Sequence, residues 1–348
     1  MVTFWFLLVA IMLVAYVVLD GFDLGVGAIY KWVGHTPEER ALVRRSIGPV
    51  WDANEVWLLA AGGVLYFAFP QLYASSFSGF YLPLMMVLWL LIGRALGLEL
   101  RGHTGDELFA QACDAVFMIS SLLLPIFFGA ALGNVIRGVP IDAEGSFFLP
   151  LWTDFRPGPQ PGVLDWYTVL CGVVSLVALA THGALFLAMR VSGEVNLRAT
   201  RVGRLGAKLL PGLTLITLAA SMAVRPTILD NYRNHPVGLL IPAVVTASLA
   251  MMLRATRRGR EHLAFAASVT YLTTMLVGAA FALYPVLLPS SDDPARSLTV
   301  TAAATGGHAM RVALIWWPIA FLLVAATFTH LYRTFRGKLI AGEGDGYH

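Results

Sequence analysis

Several carboxylic acids in this chain lie where an ionised group is expensive. Asp20 and Asp23 fall inside an apolar run that opens at Thr3. With Tyr16 they stand at i, i+4 and i+7, so the three share one helix face. Asp52 and Glu55, three apart, open a second apolar run together with Trp51, Asn54 and Trp57. Arg94 and Glu99 close a third, and Asp114 stands near the start of a fourth. An ionisable side chain within a membrane span is costly unless it faces protein or water, which makes each of these a functional candidate. Carboxyls crowded in a poorly solvated place resist ionising together, and a group able to hold a proton near neutral pH can hand one on. The chemistry suggested is proton transfer. The competing reading is structural: the acids pair with Arg44, Arg45, Arg94 or Arg101, or sit in first helical turns where the dipole satisfies them, as Asp52 and Asp114 could.

Other chemistries find less support. His182 and His330 lie within apolar runs, but no second ligand stands at a metal- or haem-binding spacing. Cys113 and Cys171 sit in apolar surroundings without CxxC spacing and read as small core residues. The Gly-rich stretch Gly21–Gly27 follows no strand, so it is not a phosphate cradle; Gly21 and Gly25 instead form a GxxxG pair that permits close helix approach.

The elements that must position these acids are membrane helices. Hydrophobic residues make up 57% of the 348 residues and charged residues 13%, against about 25% charged in a soluble domain. Mean hydropathy is +0.72. A net charge of +3 leaves no footprint for a nucleic-acid partner. With about 20 apolar residues needed per span, the expected architecture is one all-α transmembrane domain over 1–348, a polytopic bundle of nine spans near 3–30, 52–74, 78–98, 109–137, 163–189, 204–224, 236–254, 262–288 and 309–335. No Lys or Arg precedes Lys31, so the first run lacks the charged start of a signal peptide and reads as a span. The connections 138–162 and 289–308 are longer than the rest. Tryptophans near span ends (Trp5, Trp32, Trp51, Trp152, Trp166, Trp316, Trp317) read as interface anchors.

Basic residues orient the bundle. With nine spans, 18 of the 24 Lys and Arg residues fall on the side that holds the connections after spans 1, 3, 5 and 7 and the C-terminal tail. Cytoplasmic loops carry such an excess, so the N-terminus is expected outside and the C-terminus in the cytoplasm. Asp20, Asp23, Asp52, Glu55, Glu99 and Asp114 then share one depth on the cytoplasmic side.

The same residues carry a resemblance. Asp20-Gly21-Phe22-Asp23-Leu24-Gly25-Val26-Gly27, followed by Pro49-Val50-Trp51-Asp52-Ala53-Asn54-Glu55-Val56-Trp57-Leu58, resembles the opening of subunit II of cytochrome bd-type ubiquinol oxidases, DGFDxGxG then PxWDxNxxWL. The likeness continues at Phe77–Tyr81, at Gly133–Pro140, at Met189-Arg190, Gly193-Glu194 and Arg198, and from Pro285 to Ser291. Before the last span the family's acid or amide is absent: the chain reads Leu298-Thr299-Val300-Thr301-Ala302.

The resemblance implies a respiratory-chain heterodimer in the bacterial cytoplasmic membrane. Haem-bearing subunit I would carry two b-type haems, one d-type haem and the quinol site, and reduce dioxygen to water. Subunit II would bind no cofactor alone and would help to admit protons from the cytoplasm, with Asp52 lining that path. Small single-span subunits, lipid and quinone are further partners it allows. Two rival functions follow from the residues alone. A proton-coupled secondary transporter would favour inverted repeats and broken helices in matching halves, which the sequence does not display. A purely scaffolding subunit would use its acids only to pair with bases.

Overall fold

A computed structural model describes residues 1–103 and 105–340; the tail that ends at His348 lies outside the described residues. The helices are α1 (Val2–Ala28), α2 (Tyr30–Val33), α3 (Pro37–Ile47), α4 (Trp51–Ala68), α5 (Pro70–Gly79), α6 (Tyr81–Glu99), α7 (Glu107–Arg137), α8 (Trp166–Arg190), α9 (Glu194–Val224), α10 (Asp230–Asn234), α11 (Leu240–Arg257), α12 (Glu261–Leu283) and α13 (Gly307–Thr334). Among the described residues eight helices are long and apolar enough to cross a membrane, and the bent pair α4–α5 would make a ninth if it is one span.

That pair corrects the expected span 52–74. The helix stops at Ala68 and turns by 119° into α5. Pro70 lacks an N–H and pushes Phe69 out of the helical region, to φ −134°, ψ 63°. The freed carbonyl of Ala68 accepts from Thr305 N at 2.9 Å. The 18 residues of α4 rise about 27 Å, close to the hydrocarbon thickness, so α4 can cross alone while α5 folds across its end.

Two other boundaries move. The span expected at 204–224 begins at Glu194, because a first turn rich in polar residues is tied down by partners: Asn196 donates to Ala188 O, and Arg198 pairs with Glu39. The span expected at 262–288 ends at Leu283; Pro285 follows, and Val286–Leu288 forms a short antiparallel ladder with Leu298–Thr299. That ladder is a small exception to the all-α expectation. Trp5 is not an interface anchor. It is buried against Phe67 and Trp317.

The packing centre is α1 and α8. Helix α1 lies against α4, α7, α8 and α12, and α8 lies against α7, α9 and α12. A β-carbon on Gly25 would run into the carbonyl oxygen of Leu179, and one on Gly183 into the backbone of Gly25 and Val26, so α1 and α8 touch backbone to backbone. Gly21 continues the seam, with Leu179 Cδ2 3.0 Å from where its β-carbon would be. This is the close approach expected of the GxxxG pair. Cys113 and Cys171 are free thiols in the buried interior.

Contacts between helix ends divide the bundle into two faces. Arg94 to Asp20, Asn54 to Asp23, Arg101 to Asp114, Asn196 to Glu261 and Arg204 to Thr256 O join the ends of α1, α6 and α11 to the starts of α4, α7, α9 and α12. The basic-rich connections therefore share one face. At the opposite face the two long connections meet: Val139 N donates to Pro289 O (3.0 Å) and Ser291 N to Val139 O (2.9 Å). Gly138, at φ +97°, makes the turn that lets them pair.

Candidate functional site

Near the basic face α1, α4, α6 and α13 converge on a network of buried polar side chains. Asp20 and Asp23 are 0% and 1% exposed, Arg94 is 1% and Asn54 is 0%. Arg94 Nη1 donates to Asp20 Oδ1 at 2.6 Å, and its Nη2 to Glu55 Oε2 at 3.3 Å. Asn54 Nδ2 donates to Asp23 Oδ2 at 2.8 Å and lies 3.4 Å from Leu19 O. Tyr332, arriving from the end of α13, donates to Asn54 Oδ1 at 2.8 Å. The Arg94 guanidinium also stands over the Trp51 ring, 5.7 Å from its centroid.

Helical spacing explains the convergence. Asp20 and Asp23 share the face of α1 that meets α4, whose first turns hold Asn54 and Glu55, and Arg94 reaches Asp20 from the end of α6. Two carboxyls pair with one guanidinium and Asp23 stands beside them on Asn54, so the set has more proton-accepting sites than counter-charge. Within the network Asp23 Oδ1 and Arg94 Nε have no hydrogen-bond partner among the described residues, while the Tyr16 hydroxyl and the Asp20 carboxyl interact with each other. Tyr16 sits one turn before Asp20 on the same face, as its spacing predicts. Unused lone pairs on buried carboxylates are the places where a proton or a water could be taken up.

Exposure grades along the network. Asp52, in the first turn of α4, is exposed; Glu55, one turn deeper, is half-buried; Asp20 and Asp23 are enclosed. Trp57 stacks at a tilt against Phe328 of α13, ring centroids 5.5 Å apart. Glu99 is exposed at the end of α6, and its backbone oxygen lies 3.1 Å from His103 Nδ1. It takes no part in the network.

Asp114 belongs to a separate constellation. Tyr30 Oη donates to Asp114 Oδ1 at 2.8 Å and Arg101 Nε at 2.7 Å. Arg44 Nη1 stands at 3.4 Å, and Arg40 Nε lies 3.5 Å from Oδ2. Among the described residues no hydrogen bond or ion pair joins this acid to the network.

Two functional-looking groups, Tyr332 and the Arg137–Asp165 pair, were not singled out from the sequence. Tyr332 lies 278 residues from Asn54, and only its depth at the same face could have hinted at the pairing. Arg137 and Asp165, both buried, pair at the opposite face, where Arg137 also donates to Gly162 O (3.0 Å) and Asn134 Oδ1 (2.7 Å). Asp165 caps α8 through Tyr167 N and Thr168 N, so this pair anchors the long connection before α8. His182 is enclosed, with Nδ1 2.7 Å from Ser268 Oγ and Nε2 2.9 Å from Val18 O. Among the described residues no cluster of His, Cys, Asp and Glu side chains could hold a metal ion.

A polytopic membrane bundle with a buried, acid-rich network beside one face is the class of protein that these features define. The family model for cytochrome bd terminal oxidase subunit II matches residues 1–335, and the chain belongs to that family. It is 30% identical to cytochrome bd-I ubiquinol oxidase subunit 2 of Escherichia coli K12, over 93% of this chain and 91% of the relative. It is 32% identical to cytochrome bd ubiquinol oxidase subunit 2 of Bacillus subtilis 168, over 88% of each. Its fold is similar to that of a chain in the structure of bd oxidase from Geobacillus thermodenitrificans, with a TM-score of 0.76 at 17% identity, covering 96% of this chain and 98% of that one. The family makes this chain a subunit of a bacterial terminal oxidase complex that carries haem.

Proposed function

We propose that the chain is the haem-free subunit II of a quinol-oxidising bd-type complex in the bacterial cytoplasmic membrane, and that it supplies part of the path by which cytoplasmic protons reach the site of dioxygen reduction. The observation that carries this reading is the inward grading from Asp52 through Glu55 to the enclosed Asp20 and Asp23. Making water consumes protons, so an inlet must begin at the cytoplasmic face and lead into the bundle. Asp52 is the accessible acceptor, Glu55 the intermediate, and the Asp20–Asp23 pair the enclosed reservoir. Arg94 holds the Glu55 and Asp20 carboxyls side by side. Asp114, matched by three arginines, is assigned to holding α3 and the ends of α6 and α7 together rather than to the path.

The enclosed His182 supports a subunit without haem ligands. Both ring nitrogens of His182 are engaged within the fold. The two b-type haems, the d-type haem and the quinol site are therefore assigned to subunit I. Helix α13 supports such a partner: Met310 is its only buried residue, and Trp316, Ile319, Leu322 and Leu323 lie open. A partner helix packing there would enclose the last span as the other spans are enclosed.

The orientation follows from the basic face. Activity of a periplasm-only reporter fused after His348 would reverse it. The path is tested at Asp52. A carboxylate can pass a proton and an amide of the same shape cannot. Asp52→Asn should assemble with an unchanged haem spectrum yet consume oxygen more slowly, whereas Asp52→Glu should keep most of the rate. Full turnover in a correctly assembled Asn variant would leave Asp52 as a first-turn acid of α4.

A further inference from the structure

A cavity of about 490 Å³ opens at the basic face between the ends of α1, α8 and α13 and the start of α12. That size falls within the roughly 300–1,000 Å³ of small-molecule sites. Its two ends differ in chemistry. The inner wall is apolar, formed by Val18, Leu19, Phe22, Phe186, Phe265 and Val269. The few polar atoms on it are already satisfied: Ser46 Oγ donates to Val43 O at 2.7 Å, and the Tyr332 hydroxyl donates to Asn54. The outer rim carries Arg190, Arg336, Lys338 and His262, and no lining residue is acidic.

The rim charges are only partly spent. Lys338 Nζ pairs with Glu261 Oε2 at 2.6 Å, and Arg190 Nη1 donates to Gly337 O. Arg336 is exposed, and among the described residues no carboxylate pairs with it. An occupant must therefore be anionic at the rim and apolar within. A free phosphate would gain nothing from the inner wall, and a neutral isoprenoid would leave the rim unmatched. The membrane itself supplies amphiphiles of the required kind, and basic residues at its surface attract anionic headgroups.

We propose that this cavity is a binding site for one anionic phospholipid, its phosphate at Arg336 and Lys338 and an acyl chain against Phe22, Phe265 and Val269. The occupant would tie the C-terminal segment to α1 and α12, beside the Tyr332–Asn54 bond. The proposal requires only that the chain lie in a membrane; it does not depend on the proton path, and its readout is bound lipid rather than oxygen consumption.

The test uses the purified, delipidated oxidase complex, titrated with phosphatidylglycerol or phosphatidylcholine while retained lipids are counted by native mass spectrometry. One phosphatidylglycerol should be held about tenfold more tightly than phosphatidylcholine. The double variant Arg336→Gln/Lys338→Gln should lose that preference and retain its haem spectrum. Val269→Trp, which fills the apolar end and leaves the charges intact, should expel the lipid. Equal retention of the two lipids by the wild-type complex would overturn the proposal, as would an undiminished preference in the double variant or undiminished retention in Val269→Trp. A site that takes up lipid only after residues 341–348 are removed would show the chain's own tail to be the occupant, and would equally overturn it.

Discussion

Two clusters at the basic face use the same residue types in opposite proportions. Around Asp114 one carboxylate meets three arginines and a tyrosine hydroxyl. Around Arg94 one guanidinium faces Asp20 and Glu55, with Asp23 close by through Asn54. In the first cluster counter-charge is in excess, an arrangement that fits an anchor joining α3, the end of α6 and the start of α7. In the second carboxyls are in excess and Asp23 Oδ1 lacks a partner among the described residues, so the cluster has room for protons. The balance of charges, more than burial itself, separates an anchor from a candidate relay: Asp114 is almost as buried as Asp23.

The harshest way to break this contrast is to remove Arg94. Stripping one partner from a buried pair costs about 3–5 kcal/mol, because the other charge is left uncompensated. Arg94→Gln should therefore abolish or sharply reduce recovery of the intact complex, measured as haem per milligram of membrane protein. A normal yield would mean that Asp20 and Glu55 do not need the guanidinium.

Asp23→Asn should be gentler on the fold and hard on turnover. An Asn oxygen can still accept from Asn54, so the complex should assemble, but quinol-driven oxygen consumption should fall by about tenfold. Wild-type rates in an assembled variant would remove Asp23 from the path. Asp114→Asn supplies the opposite signature. Losing the charge-assisted bonds of Arg101 and Tyr30 should cost about 2 kcal/mol, seen as a lower melting temperature, while turnover per intact complex and its pH profile stay unchanged. A loss of rate without a loss of stability would put Asp114 on the path after all.

The smallest expected effect is at Glu39, in the connection after α1. The Arg198 guanidinium, with help from the backbone N–H groups of His35 and Thr36, holds its carboxyl down at about 2. A depressed acid stabilises the fold above the ordinary carboxylate range and loses that contribution as pH falls through its folded value. Because the pair is partly solvated, Glu39→Gln should lower the melting temperature by only about 1–2 °C near neutral pH. The gap should begin to narrow at about pH 4 and close only at about pH 2. A gap that widened on acidification would contradict the sign of this linkage.

Much of the site could be read from residue order. Asp20, Asp23 and Tyr16 share a face because 3.6 residues make a turn, and that holds wherever the helix packs. The common depth of Asp23, Asp52, Glu55 and Arg94 followed from counting spans. The kink at Phe69-Pro70 was open to inspection, yet an apolar window runs through it; the proline's cost to a helix outweighs hydropathy there. The start of α9 was placed late because hydropathy undervalues a polar first turn whose groups find partners in distant segments.

The sequence by itself determined that this chain must live in lipid, where its long apolar helices fall, which face is basic and which acids lie beside that face. Those are consequences of local hydropathy, helical period and loop charge, each decided within a few turns of chain. Only the tertiary structure decided the partnerships: that Arg94 serves Asp20 and Glu55, that Asp114 is claimed by three arginines, that Tyr332 closes on Asn54 across 278 residues, and that a basic-rimmed cavity opens between α1, α8, α12 and α13. The physical reason is that a buried charge takes its character from whatever counter-charge the packing brings within hydrogen-bond reach, and helical spacing along one segment cannot say which neighbour that will be.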